Sequence, residues 1–214
     1  MNGGVSAILL AAGESRRMGH LNKLALLVDG VPLLQRTVQT LLQARLREVV
    51  VVVGHEQHSV HSMLDGMPVR IVSNDRYQEG QMTSVYCGMQ ALQEPCEGVM
   101  VCLSDQPLLE PQDINLLVDH FLSKPAAVLV PTYQGQRGNP IILASQHRAD
   151  ILNGERNLGC KRFIEKNPDL VTTLEFDNDH VIFDLDTPED YAQLKLRLAD
   201  TPHATNEVLA VRGS

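Results

Sequence analysis

The stretch "EVVVVVG", residues 48–54, decides the fold. Its five consecutive valines show no alternation of polar and apolar residues, so a strand built from them must be covered on both faces. That condition belongs to a parallel sheet clothed by helices on each side. Working outward, short apolar runs recur at Val5–Leu10, Val49–Val53, Val69–Val72, Val99–Leu103 and Ala127–Val130. Amphipathic stretches lie between them at Pro32–Ala44, Ser59–Leu64, Thr83–Leu92 and Pro111–Leu122. Pro32 and Pro111 each suit a first helical turn, where no N–H is needed. The alternation predicts an α/β chain with a doubly wound, mostly parallel sheet.

Three further signals refine this outline. "LLVDGVPLL" (26–34) places Asp29-Gly30 between apolar residues, a small hairpin ahead of the first long helix. "YQGQRGNPIIL" (133–143) reads as strand, polar turn, strand, so the sheet is expected to be mixed. "HVIFDLDTPEDYAQLKLRLAD" (180–200) predicts a strand through Phe183, a helix start at Asp186-Thr187-Pro188-Glu189, and a closing helix. Its "LKLRLAD" end is expected to be a solvated helical face. One domain over residues 1–200 is expected, with 201–214 a partly disordered tail because periodicity is lost there.

Composition narrows the function classes. A chain of 214 residues can bury roughly 70% of its unfolded surface and needs no disulfide or structural metal to fold. The net charge of −8 opposes binding to a polyanion, and the absence of Trp opposes a stacking platform, so no nucleic-acid partner is expected. Cys87, Cys96, Cys102 and Cys160 show no C-x-x-C spacing and read as reduced thiols, with Cys102 an inert core residue. No apolar run reaches the length of a membrane span, and "MNGGVSAILLAAG" lacks the basic n-region of a signal peptide. A cytoplasmic protein without a membrane partner is the expectation.

Ligands of an open α/β sheet bind beyond the carboxyl ends of its strands. The apolar runs end in Ala11-Ala12-Gly13, in Ser73-Asn74-Asp75 and in Ser104-Asp105-Gln106-Pro107, and the late one ends in Asp184-Leu185-Asp186. These loops would crowd one edge, bringing a glycine-softened basic turn together with several carboxylates. The turn "LLAAGESRRMGHLNKL" (9–24) fits neither G-x-x-x-x-G-K-[ST] nor G-x-G-x-x-G. It can still offer backbone N–H groups and the charges of Arg16, Arg17 and Lys23 to an anion, although a basic turn can equally be merely solvated. Asp105, directly after a buried strand on a Pro-braced turn, suits Mg²⁺, or else an N-cap. Asp186 carries the same two readings, since "DTPED" is a good helix cap.

The motifs resemble a known family. "LLAAGESRRMGHLNKL" is similar to the signature L-A-A-G-x-S-x-R-M-G-x(2–3)-K-L of nucleotidyltransferases related to molybdenum cofactor cytidylyltransferase and molybdopterin-guanine dinucleotide synthase. "NDRYQEGQMTSVYCGM", "LSDQPLL", "RGNPIIL" and "FDLDTPEDY" resemble its later segments, in order. The resemblance implies a Rossmann-like nucleotidyltransferase fold with Mg²⁺ as cofactor. It implies Ala11, Ala12 and Gly13 against the nucleotide, Arg17 and Lys23 on its phosphates, and Asp75 helping to hold it. Asp105 and Asp186 would carry the metal, with Asp184 a weaker candidate. Lys23, Arg17 and Asp105 would form the catalytic set. Gly138, Asn139 and Pro140 would border the acceptor pocket; Asn139 departs from the His common in the cofactor cytidylyltransferases. Ala12, where guanylyl enzymes typically have Gly, favours CTP over GTP.

The implied reaction moves CMP from CTP to the terminal phosphate of the molybdenum cofactor and releases pyrophosphate. The implied partners are the nucleoside triphosphate, that acceptor, and a molybdenum enzyme receiving the product. Other readings keep GTP as donor, or a sugar or alcohol phosphate as acceptor. Two more are an NAD(P)H-dependent oxidoreductase acting on a small heterocycle and a non-catalytic partner in cofactor insertion. His55, His58 and His61 drift around a helix axis at this spacing and read as a solvated helix start. Thr83 and Ser84 read as helix caps facing the ligand edge, with Ser84 a candidate nucleotide contact.

Overall fold

The computed structural model describes residues 4–13, 22–124, 126–152 and 168–200. Its described strands are β1 Val5–Ala11, β2 Leu27–Val28, β3 Val31–Pro32, β4 Leu46–Val53, β5 Arg70–Ser73, β6 Gly98–Leu103, β7 Val128–Tyr133, β8 Gln136–Arg137, β9 Ile141–Ala144 and β10 Val171–Glu175. Its described α-helices are α1 Leu33–Gln43, α2 Gln57–Met63, α3 Gln81–Ala91, α4 Pro111–Ser123, α5 Arg148–Leu152 and α6 Pro188–Asp200. The main sheet runs β10-β7-β9-β6-β1-β4-β5, with β8 paired to β7. β1 pairs in parallel with both β4 and β6, β4 with β5, and β7 with β10. β9 runs antiparallel between β6 and β7, and β8 antiparallel to β7, so the sheet is mixed and mostly parallel, as expected.

The valine run behaves as its pattern requires. Val50, Val51, Val52 and Val53 are all fully buried, yet they alternate between two cores. Val51 and Val53 join Leu9, Leu34, Val38 and Leu117 on the face covered by α1 and α4. Val50 and Val52 join Ile8, Val85 and Met89 on the face covered by α3. Glycine at position 88 permits the approach of α3, since a Cβ there would lie 2.3 Å from Ile8 Cγ2.

The Asp29-Gly30 turn forms as expected: both residues have positive φ, 50° and 79°, and β2 pairs antiparallel with β3. Val28 from this hairpin and Leu33 at the start of α1 pack with Leu185 and Leu194 in a third, smaller core. α6 is tied to the hairpin by Tyr191, whose hydroxyl donates to the Leu27 carbonyl at 2.7 Å.

Two sequence expectations are corrected. The stretch through Phe183 is not a strand; residues 181–182 are turn and 183–186 follow as non-sheet chain, while the sheet edge is β10. The apolar pattern misled because Val181 and Leu185 are both fully buried, but their backbone groups serve loops. Val181 O accepts from Asn139 N at 2.8 Å, and Leu185 N donates to Asp105 O at 2.7 Å. Thr83 and Ser84 are not caps either: α3 begins at Gln81, and Gly80 stands at its N-cap. The tail 201–214 lies outside the described residues.

Candidate active site

Because β1, β4, β5 and β6 are mutually parallel, the residues that follow them share one edge of the sheet. The antiparallel β9 begins at that edge, which brings Gly138, Asn139 and Pro140 there too. The edge opens into a cleft of ≈ 290 Å³ lined by Ala12, Gly13, Lys23, Ser84 and Asp105, together with Tyr77, Gln81 and Ser104. Of the residues read from the sequence, the fold therefore gathers these five. Ala11 is buried in the core as the last residue of β1, one position before the cleft. Asp75 is exposed, and its neighbour Asn74 is the buried one. Arg17 lies outside the described residues, as does Arg16.

Lys23 opens a short 3-10 turn, Lys23–Ala25, capped by Asn22, whose side chain accepts from Leu24 N. Its Nζ donates to Asp105 Oδ2 at 2.8 Å and to Asp186 Oδ1 at 3.1 Å. Burial alone would lower the Lys23 pKa, but the charges and hydrogen bonds of Asp105 and Asp186 overcome it and raise the value above the ordinary lysine range. Asp184 stands close by. Burial first, and then the charges of Asp105 and Asp186, push its carboxyl up to about 6.

Neither metal candidate is spent on capping a helix. α4 starts with Glu110 and Asp113 in a reciprocal capping box. At α6, Asp190 Oδ2 accepts from Thr187 N and Thr187 Oγ1, and Asp190 N returns a bond to Thr187 Oγ1. Thr187 thus does the capping, while Asp186 Oδ1 accepts from Lys23.

This donor set suits a hard divalent cation. Asp105 Oδ1 is buried and has no hydrogen-bond partner among the described residues. Magnesium is typically held by one or two carboxylates plus substrate phosphates. Among the described residues, no three His, Cys, Asp or Glu side chains form a ready-made metal cage, so substrate oxygens would complete the coordination.

Other side chains brace the edge. Asn74 Nδ2 donates to Thr83 Oγ1 and Ser84 Oγ, both at 2.9 Å, which joins the end of β5 to α3. Gly138 is packed so tightly that a Cβ would sit 2.4 Å from Val181 O. Its glycine is demanded by the backbone of the acid-bearing segment. Tyr77 and Gln81 were missed in the sequence; both lie in the "NDRYQEGQMTSV" segment, but their types carry no spacing signal. His58 and His61 are exposed on α2, and Cys102 is buried, its thiol pKa raised by desolvation.

A mostly parallel sheet whose carboxyl edge holds a cleft lined by a lysine bonded to two aspartates defines a class of α/β proteins built to handle charged ligands. The chain belongs to the MobA-like NTP transferase domain family, whose model matches residues 7–171. Asp184 and Asp186 follow the matched residues. Nicotine blue oxidoreductase of Paenarthrobacter nicotinovorans is 29% identical over 201 residues, 89% of this chain and 96% of its own length. Molybdenum cofactor cytidylyltransferase of Escherichia coli K12 is 23% identical, over 92% of this chain and 98% of its own. The crystal structure of Rv0371c from Mycobacterium tuberculosis H37Rv shares the fold, with a TM-score of 0.79 at 20% identity over 91% of this chain and 98% of that one. The same protein in complex with manganese aligns at a TM-score of 0.71, with 19% identity over 89% and 97% of the two chains. No helix among the described residues is long and apolar enough to cross a membrane.

Proposed function

We propose that the protein transfers a nucleotidyl group, CMP from CTP, to the terminal phosphate of the molybdenum cofactor and releases pyrophosphate. The observation that carries this reading is Lys23, on the lining of the cleft, with its Nζ bonded to both Asp105 and Asp186. Asp105 and Asp186 would hold Mg²⁺, which when bound neutralises phosphate charge. Ala11, Ala12 and Gly13 would lie against the nucleotide, with Ser84 and Asp75 helping to hold it. Gly138, Asn139 and Pro140 border the acceptor.

An acceptor phosphate oxygen attacks the α-phosphorus in line. The new P–O bond forms as the bond to the β-phosphate oxygen breaks, and pyrophosphate leaves with the electron pair. Lys23 and Arg17 stabilise the charge that accumulates on the leaving group. Positioning and electrostatics carry the rate, so no covalent nucleophile on the protein is required. Support for CTP is the Ala at position 12 and the likeness to the cytidylyltransferase of E. coli. GTP as donor and a sugar or alcohol phosphate as acceptor are the variants of this same chemistry.

The likeness to nicotine blue oxidoreductase favours one second reading, NAD(P)H-dependent reduction of a small heterocycle. One experiment separates the two. The protein is incubated with each nucleoside triphosphate, Mg²⁺ and molybdenum cofactor, and pyrophosphate and dinucleotide are measured. CTP-dependent pyrophosphate with an equal amount of dinucleotide is expected. Silence with every triphosphate, together with NADPH oxidation in the presence of a heterocycle, would replace the first reading by the second. A cytoplasmic site of action and a molybdenum enzyme as recipient belong to the same proposal.

A further inference from the structure

We propose that Gln106 is the positioning residue of this site: its buried amide holds segment 181–186 so that Asp186 stays beside Asp105 and Lys23. The inference rests on the metal-binding role proposed above for the two aspartates.

Gln106 follows Asp105 on the turn after β6 and is 1% exposed. Its Nε2 donates to Val181 O at 3.0 Å and to Asp184 Oδ1 at 3.1 Å. The same Val181 carbonyl accepts from Asn139 N at 2.8 Å, and Asp105 O accepts from Leu185 N at 2.7 Å. Three pieces of chain far apart in sequence are therefore tied at one point: the Asp105 turn, the 138–140 loop and the acid-bearing segment.

The choice of side chain is informative. Gln106 Oε1 is buried with no hydrogen-bond partner among the described residues, so the residue bears the cost of an unsatisfied acceptor. A methionine of similar volume would fill the same space without that cost. A glutamate would add charge beside Asp105, Asp184 and Asp186. What glutamine alone supplies here is directed donation with no charge, which is what a segment carrying two carboxylates needs from its anchor. Partners that orient metal ligands from behind typically change metal affinity or activity 10–100-fold when lost.

The test follows Mn²⁺ binding by its electron paramagnetic resonance signal, with CTP present and no acceptor, at a temperature where circular dichroism shows every variant folded. Gln106→Met is expected to weaken Mn²⁺ binding about 10–100-fold. Gln106→Asn, which keeps the amide but is one methylene too short, should lose affinity in the same direction and serves should the methionine variant fail to fold. In an Asp184→Ala background the added effect of Gln106→Met should shrink severalfold, because the amide has lost its side-chain acceptor. Wild-type binding with undiminished affinity in both Gln106 variants overturns the proposal alone, as does full multiplication of the two effects. No Mn²⁺ binding by the wild-type chain overturns the metal reading and the proposal together.

Discussion

Lys23 Nζ lies 2.8 Å from Asp105 Oδ2, a contact between residues 82 positions apart in the chain. The same ammonium reaches Asp186 across 163 positions. One cation thus occupies the ground between the two carboxylates proposed to hold a divalent metal. Replacing it with the neutral Lys23→Met should lower pyrophosphate release by about 10²–10³-fold, the usual loss when one charge-stabilising group is removed. The same variant should bind Mn²⁺ alone more tightly than wild type, since the competing cation is gone. Wild-type turnover in Lys23→Met would remove the lysine from the chemistry.

Neighbouring residues at the start of α6 should separate chemistry from stability. Thr187 and Asp190 form the reciprocal cap, whereas Asp186 faces Lys23. Thr187→Ala should cost about 1 kcal/mol and lower Tm by about 2–4 °C, with turnover per folded molecule retained. Asp186→Asn should do the reverse, holding Tm and losing turnover. Parallel thermal melts and pyrophosphate assays on the two variants check both outcomes.

Gly138 should prove intolerant of a side chain. A Cβ there would meet Val181 O at 2.4 Å, and that carbonyl is already held by Asn139 N. Gly138→Ala should destabilise by about 1–3 kcal/mol, the usual range for overpacking, read as a drop in denaturation midpoint. An unchanged midpoint would show that the 181–186 segment can move away freely.

Stability should carry a pH signature from His180. Its Nδ1 pairs with Asp113 Oδ2 at 2.8 Å, and that hydrogen bond raises the histidine pKa in the folded protein. A histidine raised in this way contributes stability fully below its unfolded value, about 6.5, and loses the contribution as pH rises through the folded value. The Tm difference between wild type and His180→Ala should therefore be larger at pH 6 than at pH 9. A difference independent of pH would mean that the pair carries no charge-dependent stabilisation.

Much of this architecture was legible in the residues. The five valines announced a sheet covered on both faces, and Asp29-Gly30 announced its hairpin. The endings of the apolar runs placed Gly13 and Asp105 on one edge, whereas Asp186 reaches that edge from a segment that is not a strand. What misled were patterns with two physical solutions. Val181 and Leu185 alternate like a strand, yet they are buried by a loop whose backbone bonds go to Asn139 and Asp105. Thr83 and Ser84 look like caps, yet they lie within the first turn of α3 and accept from Asn74. Gln106 carried no signal at all, because an amide between an aspartate and a proline acquires its role only from chain about 75 residues further on.

The most direct measurement uses CTP labelled at the α-phosphate, with Mg²⁺ and molybdenum cofactor, comparing wild type with Asp105→Ala in parallel. Wild type should transfer the label to the acceptor with one pyrophosphate released per transfer, and Asp105→Ala should do neither while remaining folded. Equal transfer by Asp105→Ala, or no transfer by wild type from any nucleoside triphosphate, would contradict a nucleotidyl-transfer centre at Lys23, Asp105 and Asp186.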